Sequence, residues 1–214
     1  MVESDSTYQV RLGGCSSTVE HKLVELDVAG SNPVSHPDGT KNEPAWYTSN
    51  MKRVIVIGNN GSGKSIFAVK LGKKLKLPVI HLDKLFHKPG WKRATNEEWD
   101  EIQKQIIQEK EWIIDGTYKR TLDVRLKAAD TVVFIDIPKW LAFIRAIKRR
   151  IAHRHKTRPD LPDYLKEQMS LKLIKKILFF SRAEILRRLN DYKGKTIIIL
   201  HNNEELESFI RNKP

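Results

Sequence analysis

Gly58-Asn59-Asn60-Gly61-Ser62-Gly63-Lys64-Ser65 fits the pattern G-x-x-x-x-G-K-[ST], a loop whose backbone cradles phosphates. Its flanks agree with the letters. Arg53-Val54-Ile55-Val56-Ile57 precedes it and reads as a short, buried parallel strand. Phe67, Leu71 and Leu75 follow at four-residue spacing, the stripe of an amphipathic helix. Glycines at 58, 61 and 63 allow a tight bend that turns N–H groups onto phosphate oxygens, with Asn59, Asn60 and Ser62 completing the loop. The next helix aims its N-terminal dipole at the same anion. Lys64 is expected to reach the β- and γ-phosphates, and the Ser65 hydroxyl to ligate Mg²⁺. A nucleoside triphosphate ligand follows, with ATP and Mg²⁺ as the expected pair.

Downstream, Leu77-Pro78 ends the helix, and Val79-Ile80-His81-Leu82 reads as a second strand ending at Asp83. A carboxylate just past a strand's C-terminal end lies where open α/β sheets bind ligands. Asp83 suits an acceptor hydroxyl or a Mg²⁺-bound water, and equally suits a cap on the next turn. Residues 84–93 form a basic, aromatic connection containing Phe86, His87 and Pro89-Gly90-Trp91, read as an acceptor-side loop. Thr95-Asn96-Glu97-Glu98 is a capping box opening a helix with Trp99, Ile102 and Ile106 on one face.

Trp112-Ile113-Ile114-Asp115-Gly116 is an apolar strand ending in Asp-Gly. Asp115 stands where a carboxylate would orient Mg²⁺ through its water shell, although an Asp-Gly turn explains the same letters. Arg120 and Arg125 follow and are expected to clamp an acceptor phosphate. Thr131 to Pro138 reads as a further buried strand. The helix after it is expected to face Leu141, Ile144 and Ile151 to the core, with Arg145 and Arg149 four apart and reaching one site. Arg150, His153, Arg154, His155, Lys156 and Arg158 then suggest a basic lid at about 149–163. Two helices are expected over 164–192, carrying Leu165, Met169, Leu173 and Ile177, then Ile185, Leu189 and Tyr192. A last strand spans 195–200, and Asn202 caps a final helix.

The single cysteine, Cys15, excludes an intramolecular disulfide framework. No apolar run approaches membrane-spanning length, so a cytoplasmic protein with no membrane partner is expected. The net charge is +13, and residues 1–50 hold three basic against seven acidic residues. The remaining chain, with 36 basic and 19 acidic residues, carries +17. Such an excess points to a polyanion, and non-specific nucleic acid is a candidate partner beside ATP and a small acceptor.

Residues 1–50 show no apolar period lasting two turns and are expected to be a disordered extension. Gly30-Ser31-Asn32-Pro33, back-translated as GGT-TCG-AAT-CCC, resembles the T arm of a tRNA gene, and Cys15-Ser16-Ser17 with Val19-Glu20-His21 resembles its D arm. The reading is a spurious start translated through a tRNA gene, with the natural protein beginning at Met51. An ordinary disordered extension is the alternative.

With these stretches placed, residues 51–214 resemble the adenylate-kinase-related P-loop family, and within it the small bacterial DNA topology modulation proteins. The resemblance rests on Val54–Ser65, His81–Phe86 with Pro89-Gly90-Trp91, Trp112–Gly116, and Lys156-Thr157-Arg158-Pro159-Asp160. It implies an α/β, P-loop NTPase three-layer sandwich like that of nucleoside monophosphate kinases, with a parallel sheet of about five strands and a basic helical lid. It further implies transfer of the ATP γ-phosphoryl group to a nucleotide or other small acceptor. Lys64, Arg145 and Arg149 would take the catalytic roles. The family's Asp-Gly-Phe-Pro-Arg appears here as Asp115-Gly116-Thr117-Tyr118-Lys119-Arg120, without Phe-Pro and with the arginine one place later. A nucleic-acid-associated ATPase affecting DNA topology is the alternative function.

Overall fold

The computed structural model describes residues 51–152, 171–192 and 194–212, together with two short strands at 9–12 and 26–27. Strand β3 (Arg53–Gly58) lies at the centre of a sheet with β8 (Thr131–Ile135) on one side and β7 (Trp112–Asp115) on the other. Beyond β7 comes β4 (Val79–His81), and beyond β8 comes β9 (Thr196–Leu200). Every pairing among these five is parallel. This is the α/β sheet that the β-branched runs imply. Successive residues of β3 alternate faces, and both faces are buried: Val54 and Val56 serve one core, Ile55 and Ile57 the other.

Helices cover each face. On the first lie α1 (Lys64–Leu75), α5 (Lys139–Ala152), α6 (Leu171–Leu178) and α8 (Asn203–Asn212), contributing Phe67, Leu71, Ala142, Ala146, Ile177 and Phe209. On the second lie α2 (Leu82–Phe86), α3 (Asn96–Ile106), α4 (Leu122–Ala128) and α7 (Arg182–Asn190), contributing Leu82, Trp99, Leu122, Leu126, Ile185 and Leu189. The result is three layers around one sheet. Caps match their sequence signals. Thr95 accepts from the Glu98 amide while Glu98 accepts from the Thr95 amide. Asn202 Oδ1 accepts from the Glu205 amide at 2.9 Å.

The structure departs from the sequence reading in four places. The second strand stops at His81, because Leu82 turns into the core and starts a single helical turn, so Asp83 lies in the first turn of α2. The connection 84–93 is more ordered than a loop: β5 (His87–Lys88) and β6 (Lys92–Arg93) form an antiparallel ribbon around a turn at Pro89–Trp91. The fourth strand ends at Ile135. On α5, Ile144 and Ile151 are 39% and 71% exposed, and Ala142 and Ala146 face inward instead. The glycine loop explains that choice, since a Cβ on Gly61 would stand 2.2 Å from the Ala142 carbonyl oxygen. Backbones this close admit only small residues between them.

Two strands lie within the first fifty residues. β1 (Gln9–Leu12) pairs in parallel with β9, and β2 (Leu26–Asp27) pairs in parallel with β1. Strands this short carry no readable period, so sequence gives no sign of them. The reading of 1–50 as a spurious extension otherwise lies outside the described residues, as do 153–163 of the expected lid and Leu165 and Met169.

Candidate active site

The carboxyl ends of β3, β7 and β4 open on one edge of the sheet, where open α/β folds bind ligands. From β3 the chain enters the glycine loop. Gly61 and Gly63 have φ of 84° and 95°, the left-handed region that glycine enters without strain. Within the loop the Ser62 amide donates to the Asn59 carbonyl at 3.2 Å. Lys64 Nζ donates to the same carbonyl at 2.9 Å. The Asn59 side chain is buried; its Nδ2 donates to the Ile177 carbonyl of α6, while its Oδ1 accepts from the Asn60 amide within the loop. Lys64 and Ser65 begin α1, so the loop runs straight into a helix N-terminus with its unbonded amides.

A second cation meets the loop from another element. Arg145 of α5 donates from Nη1 to the Ser62 carbonyl at 3.3 Å and from Nη2 to Asn203 Oδ1 at 2.9 Å. Desolvation there pulls its guanidinium below the ordinary arginine value, and it remains a cation at neutral pH. Arg149 sits one turn further along the same helix. Lys64 and Arg145 thus converge on main-chain carbonyls of one loop.

Next to the glycine loop, the same edge is built from the ends of β7 and β4. Asp115 pairs in register with Val56 of β3 and with His81 of β4. His81 Nδ1 lies 2.9 Å from Asp115 Oδ2, and both side chains are largely buried. Just beyond, the Thr117 hydroxyl donates to the Gly58 carbonyl at 2.6 Å and accepts from the Gly58 amide at 3.1 Å. The next residue, Tyr118, has φ of 28° and donates its phenol proton to Asp83 Oδ1 at 2.6 Å. Burial, reinforced by the Asp83 carboxylate, holds that phenol protonated far above the ordinary tyrosine range. The Tyr118 ring stands 5.0 Å from Phe86 and 4.8 Å from Trp99, forming an aromatic wall.

The two arginines assigned to an acceptor phosphate require correction. Arg125 is fully buried in α4, beneath the loop. Its Nη1 donates to the Gly116 carbonyl at 2.6 Å, and its Nη2 to the carbonyls of Thr117 and Tyr118 at 2.8 and 3.1 Å. All three of these bonds hold the main chain that follows β7. Arg120 turns outward to α3, donating to Asp100 Oδ2 and to the Asn96 carbonyl. Spacing along the chain could not reveal that α4 passes under the loop or that α3 lies beside it.

His81, Thr117 and Tyr118 escaped the sequence reading. One signal was available for His81: it stands at a strand end two residues before Asp83, so both lie near the same sheet edge. Nothing local marks Thr117, whose partner Gly58 is 59 residues away.

Mg²⁺ fits this edge. Asp115 Oδ1 is buried without a hydrogen-bond partner, while its other oxygen is held by His81. Among the described residues no group of three or more His, Cys, Asp or Glu could hold a metal alone. An ion shared with phosphate oxygens and water, as Mg²⁺ prefers, matches that donor set. Among the described residues no helix is long and apolar enough to cross a membrane.

No protein-family model matches the chain, and no curated protein matches it. Solved structures do. A shikimate kinase from Acinetobacter baumannii in complex with shikimate is 14% identical, covering 78% of this chain and 93% of its own, with a TM-score of 0.47. A gluconokinase from Sinorhizobium meliloti 1021 is 15% identical over 75% of this chain and 88% of its own, with a TM-score of 0.46. The YorR protein from Bacillus subtilis, in complex with phosphorylated GDP, is 20% identical over 74% of this chain and 91% of its own, with a TM-score of 0.42.

Proposed function

We propose that this chain is a Mg²⁺-dependent phosphotransferase moving the γ-phosphoryl group of ATP to a small acceptor. The observation that carries the reading is the convergence of Lys64 and Arg145 on the main-chain carbonyls of one glycine loop. Phosphoryl transfer asks the protein for in-line positioning and for cations on the transferring group. The loop amides and Lys64 would bind the donor phosphates, with Arg145 and Arg149 neutralising charge that grows in the transition state. Ser65 and Asp115 would hold Mg²⁺, directly or through its water. When bound, the ion screens the phosphate oxygens and fixes their geometry. The acceptor would lie against Asp83, Tyr118 and the aromatic wall. The reading of 149–163 as a lid that excludes water belongs to this proposal.

The test is ADP release by the full chain with Mg²⁺-ATP, with and without a mixture of nucleosides, sugars, polyols and nucleoside monophosphates. Acceptor-dependent turnover is expected, lost in Lys64→Ala and strongly slowed in Arg145→Ala without a matching loss of ATP affinity. Turnover that ignores the acceptors and rises with duplex DNA at low salt would instead favour a nucleic-acid-associated ATPase.

A further inference from the structure

We infer that the acceptor group is a hydroxyl rather than a phosphate, with Asp83 as its proton acceptor and Tyr118 as the residue that positions Asp83. This rests on the phosphotransferase reading above and names the class of its second substrate.

Three cations follow the β7 strand, and all three are turned elsewhere. Lys119 is paired with Glu184 of α7, Arg120 with Asp100 of α3, and Arg125 is sealed under the loop on three carbonyls. Lys88, in the ribbon beyond Phe86, is held by Glu98. Lys84, Lys92 and Arg93 are exposed, where a single ion pair gains little. What stands at the strand ends is acidic: Asp115, bonded to His81 and close enough to the buried Arg125 to act on its charge, and Asp83, bonded to Tyr118. Among the described residues no pair of arginines or lysines forms at these two carboxylates the bidentate clamp that a phosphate acceptor needs. A hydroxyl brings a proton that one of those carboxylates can take.

The geometry separates their duties. Asp115 is bonded to His81 and lies beside β3, which suits the metal. Asp83 is bonded through Oδ1 to a phenol that stays protonated, so Tyr118 is a permanent donor, and Oδ2 is the oxygen that would face the acceptor. Thr117 and Tyr118 are neighbours in sequence, so the residue anchored to the glycine loop adjoins the residue anchored to the base. In the reaction the acceptor oxygen forms a bond to the γ-phosphorus as its proton passes to Asp83 Oδ2. The bond from that phosphorus to the β–γ bridging oxygen breaks, and its electron pair leaves with ADP. Asp83 afterwards releases the proton to water.

The deciding measurement is the linkage of the transferred phosphorus, which can be read whichever molecule accepts it. The full chain is given Mg²⁺-ATP and a dialysable small-molecule extract of cells, beside the defined mixture of nucleosides, sugars, polyols and nucleoside monophosphates. Phosphorus NMR then distinguishes an ester on carbon from a phosphoanhydride. An ester is expected. Asp83→Asn should lower its kcat by roughly 10²- to 10⁴-fold, the usual contribution of a positioned base, with ATP affinity unchanged. Tyr118→Phe should lower kcat less, leaving the KM for ATP and the thermal midpoint in place. An anhydride product, or full turnover in Asp83→Asn, overturns the inference while the phosphotransferase reading stands. No transferred phosphorus of either kind, with ATP still bound, overturns both.

Discussion

Thr117 and Gly58, 59 residues apart, hold each other by two hydrogen bonds, one in each direction between a side-chain hydroxyl and the main chain. The first glycine of the glycine loop is therefore fixed from the turn after β7, proposed above to lie beside the acceptor. Thr117→Val keeps the shape and removes both bonds, orphaning a main-chain donor and acceptor at a cost of about 1–3 kcal/mol each. Weaker ATP binding and a lower thermal midpoint are expected, with Thr117→Ser restoring both. Calorimetric titration of ATP checks this, and unchanged affinity in the valine variant would remove Thr117 from the site.

Gly61 and Gly63 both have left-handed backbones, but only Gly61 is crowded. A Cβ there would meet the Ala142 carbonyl oxygen at 2.2 Å, whereas nothing lies within 4 Å of one on Gly63. Gly63→Ala should cost only the backbone strain, roughly 1–2 kcal/mol. Gly61→Ala should cost more and push the loop away from α5, weakening ATP binding in step. Urea unfolding of the two variants gives the order, and equal losses would contradict the packing described.

Arg125 should behave as a structural residue. Removing its guanidinium orphans the carbonyls of Gly116, Thr117 and Tyr118, so Arg125→Ala is expected to lose roughly 3–5 kcal/mol of folding free energy. A soluble, fully stable variant with only its acceptor KM raised would return Arg125 to the phosphate role that its burial denies.

Chelating Mg²⁺ should abolish turnover. Asp115→Asn is expected to raise the Mg²⁺ concentration for half-maximal rate by about 10- to 100-fold, the usual effect of disturbing a metal's outer shell. His81→Gln should raise it by less, through the orientation of the Asp115 carboxylate. A Mg²⁺ dependence that moves in neither variant would place the ion elsewhere.

What was legible in the sequence is what repeats or caps. The β-branched run of Val54 to Ile57, the stripe of Phe67 and Leu71, the Thr95 and Asn202 caps and the glycine loop all carry local signals, and the sheet follows from them. Helical spacing puts Arg145 and Arg149 on one face of α5, but carries no sign of the Ser62 carbonyl and Asn203 that Arg145 meets. Local pattern failed where two elements meet. Arg125 looked like a phosphate ligand because arginine after Asp-Gly suggests one, and only the path of α4 under the loop shows its partners. Ile144 looks like core because it is apolar, but it is exposed, and the glycine loop comes so close to α5 that the small Ala142 takes the face against it.

The adjacency of Thr117 and Tyr118 also bears on how such a chain can change over generations. One of the pair holds the glycine loop and the other holds the Asp83 carboxylate proposed as the base, so an insertion between them would disturb both together. New acceptor preferences would therefore be reached more readily by replacing wall residues such as Phe86 than by lengthening the turn after β7. Related chains should vary at the wall and keep that turn at constant length.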